Sequence, residues 1–229
     1  MITTVIHQPE YLPWLNLFIK MTLCEKFVFL DNVQYQRRGF QNRNVISMSH
    51  KSQFLTVPIQ HATQKTLIKD IKIDNSQDWI SSHLKKIENC YGKTDYFDEV
   101  NDLILNQYKK KFVYLKDLNK ELTKSIAKKL SIKCKFFSAD ELDVKGRKSE
   151  LIFNICKKTK TKIYITGIGS KTYLDEKLFC SNNIKINYIE PIKAKYIQIN
   201  NMNNFVSDLS IIDYLFNIGF KKFGELVSK

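Results

Sequence analysis

The sequence predicts an α/β protein: a mainly parallel, three-layer, Rossmann-like sheet with a helical insertion in its middle. Three observations carry that expectation. Short apolar runs alternate with amphipathic stretches at both ends of the chain. The first thirty residues fit one strand–helix–strand unit, which requires parallel pairing and a right-handed crossover. Between residues 76 and 131 three helical patterns follow one another with no strand between them.

In order, Ile2–Ile6 reads as a central strand, and a loop bounded by Pro9 and Pro13 follows it. The stretch Trp14–Cys24 repeats apolar residues at helical spacing, and Phe27–Leu30 is the next strand. Phe54–Ile59 and Ile68–Ile73 are expected strands. Ser76–Tyr91, with Ser76 as its cap, Asp95–Tyr108 and Asp117–Leu130 are expected helices and form a possible cap on the sheet. The alternation then resumes: strand Cys134–Ser138, helix Lys148–Lys158, strand Ile163–Thr166, helix Thr172–Cys180, strand Ile184–Tyr188. A final helix, Leu209–Asn217, is stopped by Gly219, and the asparagines of 200–204 read as a loop. The whole, 1–229, is expected to be one α/β domain.

Composition narrows the function classes. A chain of 229 residues with 43% hydrophobic content buries a sizeable core without staples and is not disordered. No apolar run reaches the ~18 residues of a membrane span, and Met1–Ile6 lacks the basic flank of an export signal. The five cysteines are scattered without a CxxC pair, which indicates neither a zinc site nor a disulfide framework and suggests a reducing cytoplasm. A net charge of +14 raises the question of nucleic acid. Most of the excess, however, is lysine spread over helix surfaces, whereas Arg37, Arg38 and Arg43 cluster. Clustered arginine favours an anionic small molecule over a nucleic-acid face.

Ligands of open parallel sheets bind beyond the carboxyl ends of the strands. That rule selects three loops. The first reads His7-Gln8-Pro9-Glu10-Tyr11-Leu12-Pro13-Trp14, with Lys20 about two helical turns on. The second, Asp31–Asn44, holds three Gln, three Asn and three Arg, groups suited to phosphate, sugar hydroxyls and base edges. The third, Gly167-Ile168-Gly169-Ser170-Lys171-Thr172-Tyr173, offers backbone N–H groups and a lysine to an anion before a helix, although it lacks the spacing of a phosphate-binding P-loop. Asp143 and Glu150 flank a basic stretch, Glu150 suiting the first turn of a helix. His50, His61 and His83 show no metal-ligand spacing, and no metal site is indicated.

Together the motifs carry a resemblance. His7-Gln8-Pro9-Glu10-Tyr11-Leu12-Pro13-Trp14, Asp31-Asn32-Val33-Gln34-Tyr35, Phe40-Gln41-Asn42-Arg43-Asn44, Leu55-Thr56-Val57-Pro58, the Gly167–Asp175 loop and Leu209-Ser210-Ile211-Ile212-Asp213 look like the WbqC-like family. The resemblance implies a role in making O-antigen or other surface polysaccharide, adding glycine or another small acyl group to an amino sugar. The opening layout is also similar to the HxGH nucleotidyltransferase superfamily, which includes pantothenate synthetase and activates carboxylates with ATP. Here the second histidine and the glycine of that signature are absent.

If an amide is formed, the attacking amine must lose a proton, a task for a neutral histidine. His7 is then the expected base or phosphate contact, with Lys20 beside it in the catalytic pair. Lys20 and Arg38 or Arg43 are the expected charge clamps. The Gly167–Ser170 backbone and Lys171 are expected to hold a phosphate, and Gln34, Gln41 and Asn42 to read the sugar. Gln8, Tyr11, Trp14, Asp31 and Tyr173 complete the expected substrate-contacting set. The implied partners are a nucleotide-linked (dTDP) amino sugar and a small acyl or aminoacyl donor, with ATP and its Mg2+ as the implied cofactor. The competing class is a non-enzymatic binder of nucleotide sugar or nucleic acid. A glycosyltransferase reading ranks lower because no Asp-x-Asp metal motif follows the second strand.

Overall fold

The computed structural model describes residues 1–48, 51–63, 65–199 and 204–228. The asparagine loop at 200–203 and His50 lie outside the described residues. In chain order the elements are β1 (Thr3–His7), α1 (Leu15–Thr22), β2 (Lys26–Phe29), β3 (Arg43–Met48), β4 (Lys51–Thr56), α2 (Trp79–Tyr91), α3 (Phe97–Tyr108), α4 (Leu115–Lys129), β5 (Lys135–Ser138), α5 (Lys148–Lys158), β6 (Ile163–Gly167), α6 (Glu176–Cys180), β7 (Lys185–Ile189), α7 (Ile211–Ile218) and α8 (Phe223–Val227). The chain divides into two compact units. The first comprises Met1–Gln8, Asn16–Asn32 and Ile132–Ile192; the second comprises Pro9–Leu15, Val33–Ser131 and Lys193–Lys229.

The first unit is a five-stranded sheet in the order β5-β2-β1-β6-β7, every pairing parallel, with helices on both sides. The strands form where the sequence is apolar and β-branched or aromatic: Val5 and Ile6 in β1, Phe27, Val28 and Phe29 in β2, Tyr164 and Ile165 in β6 are all buried. Phe27 and Phe29 share one face of β2 and pack against Phe136 of β5, at centroid distances of 5.9 and 5.8 Å. Phe153 of α5 meets Phe179 of α6 edge-on, and Phe179 also stacks on Tyr164, so α5 and α6 cover the same face. From β1 the chain steps to β2 on one side, and from β6 it steps to β7 on the other. Right-handed crossovers therefore put α1 and α6 on opposite faces. The direction of winding reverses between β1 and β6, which makes their carboxyl ends the topological switch point.

The second unit holds the β3–β4 antiparallel hairpin and helices α2, α3, α4, α7 and α8. Here local expectation needs correction. The expected polar loop Asp31–Asn44 gives way at Arg43 to a strand, Arg43–Met48, paired with Lys51–Thr56, its Ile46 and Ser47 both buried. Ile68–Ile73 is not a strand. It is a 3-10 turn (Ile68–Asp70) followed by single bridges that tie Ile73 to Ile59 and Lys72 to Tyr114. Ser76 does not cap α2; Asp78 does, accepting from the Ser81 N–H, while Ser76 bonds Asp74. In the first unit, the expected helix Thr172–Cys180 is split into a 3-10 turn (Ile168–Thr172) and α6, which Asp175 caps by accepting from the Leu178 N–H.

Two buried polar networks hold the second unit. The Thr56 carbonyl accepts from His83 Nε2–H, so His83 Nδ1 bears the lone pair that accepts the Tyr11 hydroxyl at 2.9 Å. Tyr11 in turn accepts from Tyr108. The Asp213 carboxylate accepts from Tyr91 at 2.8 Å, Tyr196 at 2.7 Å and Gln198 Nε2 at 2.9 Å. Ser210 caps α7 and donates its hydroxyl to the Leu12 carbonyl. The Leu209–Asp213 motif thus serves packing. Gly219, which ends α7, has φ 82°, and an added Cβ would stand 2.6 Å from the Tyr96 ring.

Candidate active site

The first unit brings three of the expected groups to one edge. The β1–β2 register pairs His7 with Phe29, the β1–β6 register pairs Val5 with Ile165, and β1 and β6 end at His7 and Gly167. His7 and Gly167 therefore end neighbouring strands at the switch point. Asp31 lies two residues beyond β2, fully buried. Its carboxylate accepts from the Ser138 hydroxyl at 2.7 Å and the Asp140 N–H at 3.0 Å, which joins the loops after β2 and β5. Asp31 shapes the edge. Asn32 beside it donates to the Val144 carbonyl.

His7 Nδ1 lies 3.0 Å from the Gln8 carbonyl. A carbonyl only accepts, so Nδ1 carries the proton and Nε2 the lone pair. Among the described residues Nε2 has no hydrogen-bond partner. The ring keeps part of its surface accessible, yet the atoms packed around it lower its pKa to about 3. Desolvation is the largest cause, followed by the positive charge of Lys20 in the last turn of α1. His7 is therefore a neutral imidazole whose acceptor nitrogen is not used by the fold. The pKa near 6.5 expected of an ordinary histidine does not hold in this setting.

Within the Gly167–Tyr173 segment Ile168–Thr172 is a 3-10 turn, and that changes the roles of its side chains. The Ser170 hydroxyl is buried and donates to the Gly167 carbonyl at 2.8 Å. Lys171 lies 4.9 Å from the centroid of the Tyr188 ring. Tyr173 is exposed. Neither Gly167 nor Gly169 has a positive φ, and nothing lies within 4 Å of where a Cβ would stand on either. Backbone strain and packing within the chain therefore place no demand for glycine at these positions. A ligand lying against the backbone would.

The other expected contacts belong to the second unit, and several are spent there. Tyr11 is wholly buried, with its hydroxyl in the His83–Tyr108 network, which removes it from ligand contact. Gln41 and Asn42 are buried. Asn42 accepts from the Tyr35 hydroxyl and donates to the Val57 carbonyl, so both ends of its amide are engaged within the chain. Arg43 donates to the Arg38 carbonyl at 2.6 Å and stacks 4.4 Å from the centroid of the Phe54 ring, which makes it a brace of the hairpin. Arg38 is exposed at φ 70°, Gln34 is exposed, and Trp14 is half-buried and bridged to Ser210. His83, which spacing gave no role, is the structural centre of its network. Burial lowers its pKa to about 4.

Among the described residues no group of three or more His, Cys, Asp or Glu side chains is arranged to hold a metal, and no helix is long and apolar enough to cross a membrane. The uncharacterized protein Rv1507c of Mycobacterium tuberculosis (strain ATCC 25618 / H37Rv) is 29% identical over 219 residues, covering 93% of each chain. No solved structure matches the chain at a significant level. The WbqC-like protein family matches residues 8–224, nearly the whole length, and the chain belongs to that family.

Proposed function

We propose that this protein is an amide-forming transferase or ligase that adds glycine, or another small acyl group, to the amine of a nucleotide-linked (dTDP) amino sugar for surface polysaccharide such as O-antigen. One observation carries the reading. A neutral histidine with an unused Nε2 lone pair stands beside a glycine turn at the switch point of a parallel sheet, with a lysine charge in reach. Family membership supports the substrate class.

In this reading the amine attacks the carbonyl of an activated acyl donor. The bond from that carbon to the donor's leaving group breaks and the group departs with its electron pair, and the proton the amine sheds passes to His7 Nε2. A conjugate acid of pKa about 3 is too acidic to hold that proton near neutral pH. A phosphate of the donor or nucleotide, bound near Lys20, offsets the lysine's charge and adds a negative one, and both raise the His7 pKa. His7 becomes an effective base only once the anion is in place. ATP, if bound, would supply the driving force for amide formation. Lys20 and the Gly167–Lys171 backbone hold the phosphates on the protein side.

The test is mass spectrometry of the purified protein with glycine, ATP and a dTDP-linked 4-amino sugar, each omitted in turn. A product heavier by one glycyl residue and lost without ATP is the expected result. Binding of the dTDP-sugar without product in any mixture would leave a nucleotide-sugar binder. His7→Ala is expected to lower turnover by ~10²-fold or more. A folded His7→Ala protein with full turnover would remove the base from this scheme.

A further inference from the structure

Cys24 and Cys134 are far apart in the chain and share no sequence motif, yet the sheet brings them together. β2 and β5 pair in parallel with Lys26 opposite Lys135, and the Lys135 N–H donates to the Glu25 carbonyl at 2.8 Å. Cys134 immediately precedes β5, and Cys24 precedes β2 by one residue more. Strand spacing and rise place such diagonal neighbours about 6 Å apart at Cα, inside the span a disulfide bridges. Both cysteines are free, and each is the first influence on the other's thiol.

Their environments differ. Cys24 is buried, and its thiol donates to the Met21 carbonyl at 3.4 Å. Cys134 is half-buried. The neighbouring Cys24 holds the Cys134 thiol below its ordinary pKa, while Cys134 and burial push the Cys24 thiol up. Cys134 is therefore the more acidic and more accessible thiol, and Cys24 is its buried neighbour. This is the layout of an attacking cysteine and a resolving one. The remaining cysteines do not share it: Cys90 and Cys156 are buried, and Cys180 is exposed.

We propose that Cys24 and Cys134 form a reversible dithiol–disulfide site that reacts with low-molecular-weight disulfides of the glutathione type. The Cys134 thiolate attacks one sulfur of the oxidant, forming a mixed disulfide and expelling one thiolate. Cys24 then loses its proton, attacks the Cys134 sulfur and expels the second thiolate. The protein is oxidised by two electrons, and one oxidant disulfide is reduced to two thiols. The bond fixes the turn after α1, whose Leu23 N–H is held by the Lys20 carbonyl, to the start of β5.

The experiment uses the full chain carrying Cys180→Ser, which removes the exposed competitor. Folded protein is incubated with glutathione disulfide, quenched in acid, alkylated after denaturation and mapped by mass spectrometry. The expected result is loss of two alkylatable thiols, a Cys24–Cys134 linked peptide without glutathione, and full recovery on reduction. Adding Cys24→Ser should trap a single glutathione adduct on Cys134, and adding Cys134→Ser should slow the reaction roughly ten-fold or more. Persistence of both thiols, or a stable glutathione adduct on Cys134 with Cys24 present, would overturn the proposal. The linked peptide is read from protein with both cysteines in place, so a poorly folding variant does not decide the outcome.

Discussion

At the scale of single residues, His7 combines three features: a burial-lowered pKa, an Nδ1 proton held by its neighbour's carbonyl, and an unengaged Nε2. Lys20 is the second cause of its lowered pKa, so Lys20→Met should raise the His7 pKa above about 3. A pH titration of the imidazole resonances by NMR checks this, and an unmoved pKa would remove the lysine from the site's electrostatics. Gly169 gives a complementary test. Its φ is not positive and the space for a Cβ is open, so Gly169→Ala should fold with stability unchanged or raised by about 0.4–1 kcal/mol. The same change should weaken nucleotide-sugar binding measured by calorimetry. Equal affinity would mean that no ligand lies against this turn.

At the scale of elements, α7 depends on Asp213, whose carboxylate gathers Tyr91, Tyr196 and Gln198 in a buried position. Burial raises its pKa, and the three donors offset part of that cost. Asp213→Ala leaves those donors unpaired and should cost about 3 kcal/mol or more in urea unfolding, whereas Tyr196→Phe, which removes one bond, should cost about 1 kcal/mol. Comparable small losses for both would show that the carboxylate is not the hub. The helices and strands of the first unit were legible because their apolar residues repeat at the period each element needs. The β3–β4 hairpin was not. Its first strand carries Arg43, Asn44 and Ser47, polar side chains that lie inward or stack on Phe54, so alternation is masked. Ile68–Ile73 failed in the opposite sense: an apolar run that looks like a strand is buried as a turn, satisfied by single bridges.

At the scale of the whole molecule, two histidines hold pKa values depressed by burial, His7 to about 3 and His83 to about 4. A depressed folded-state pKa means that the unfolded chain takes up protons first. The stability from both groups is complete above pH 6.5 and is lost as pH falls from 6.5 toward 3. Urea unfolding across that range should show a steep decline, made shallower by His7→Asn; an unchanged slope in that variant would assign the loss to other groups.

By itself the sequence determined the parallel strand–helix alternation, the loops facing the carboxyl edge and the motifs that tie the chain to its family, because all of these are written in local periodicity and short spacing. Only the tertiary structure decided the strand order, and with it the switch point that sets His7 beside Gly167. It also buried Tyr11 and Asn42 with hydrogen bonds inside the chain, and brought Cys24 next to Cys134. Strand order, burial of a polar side chain and thiol pairing all depend on contacts between distant segments. A loop residue built for a ligand and one built for a buried hydrogen bond are the same chemical type. The partner each one meets on folding tells them apart.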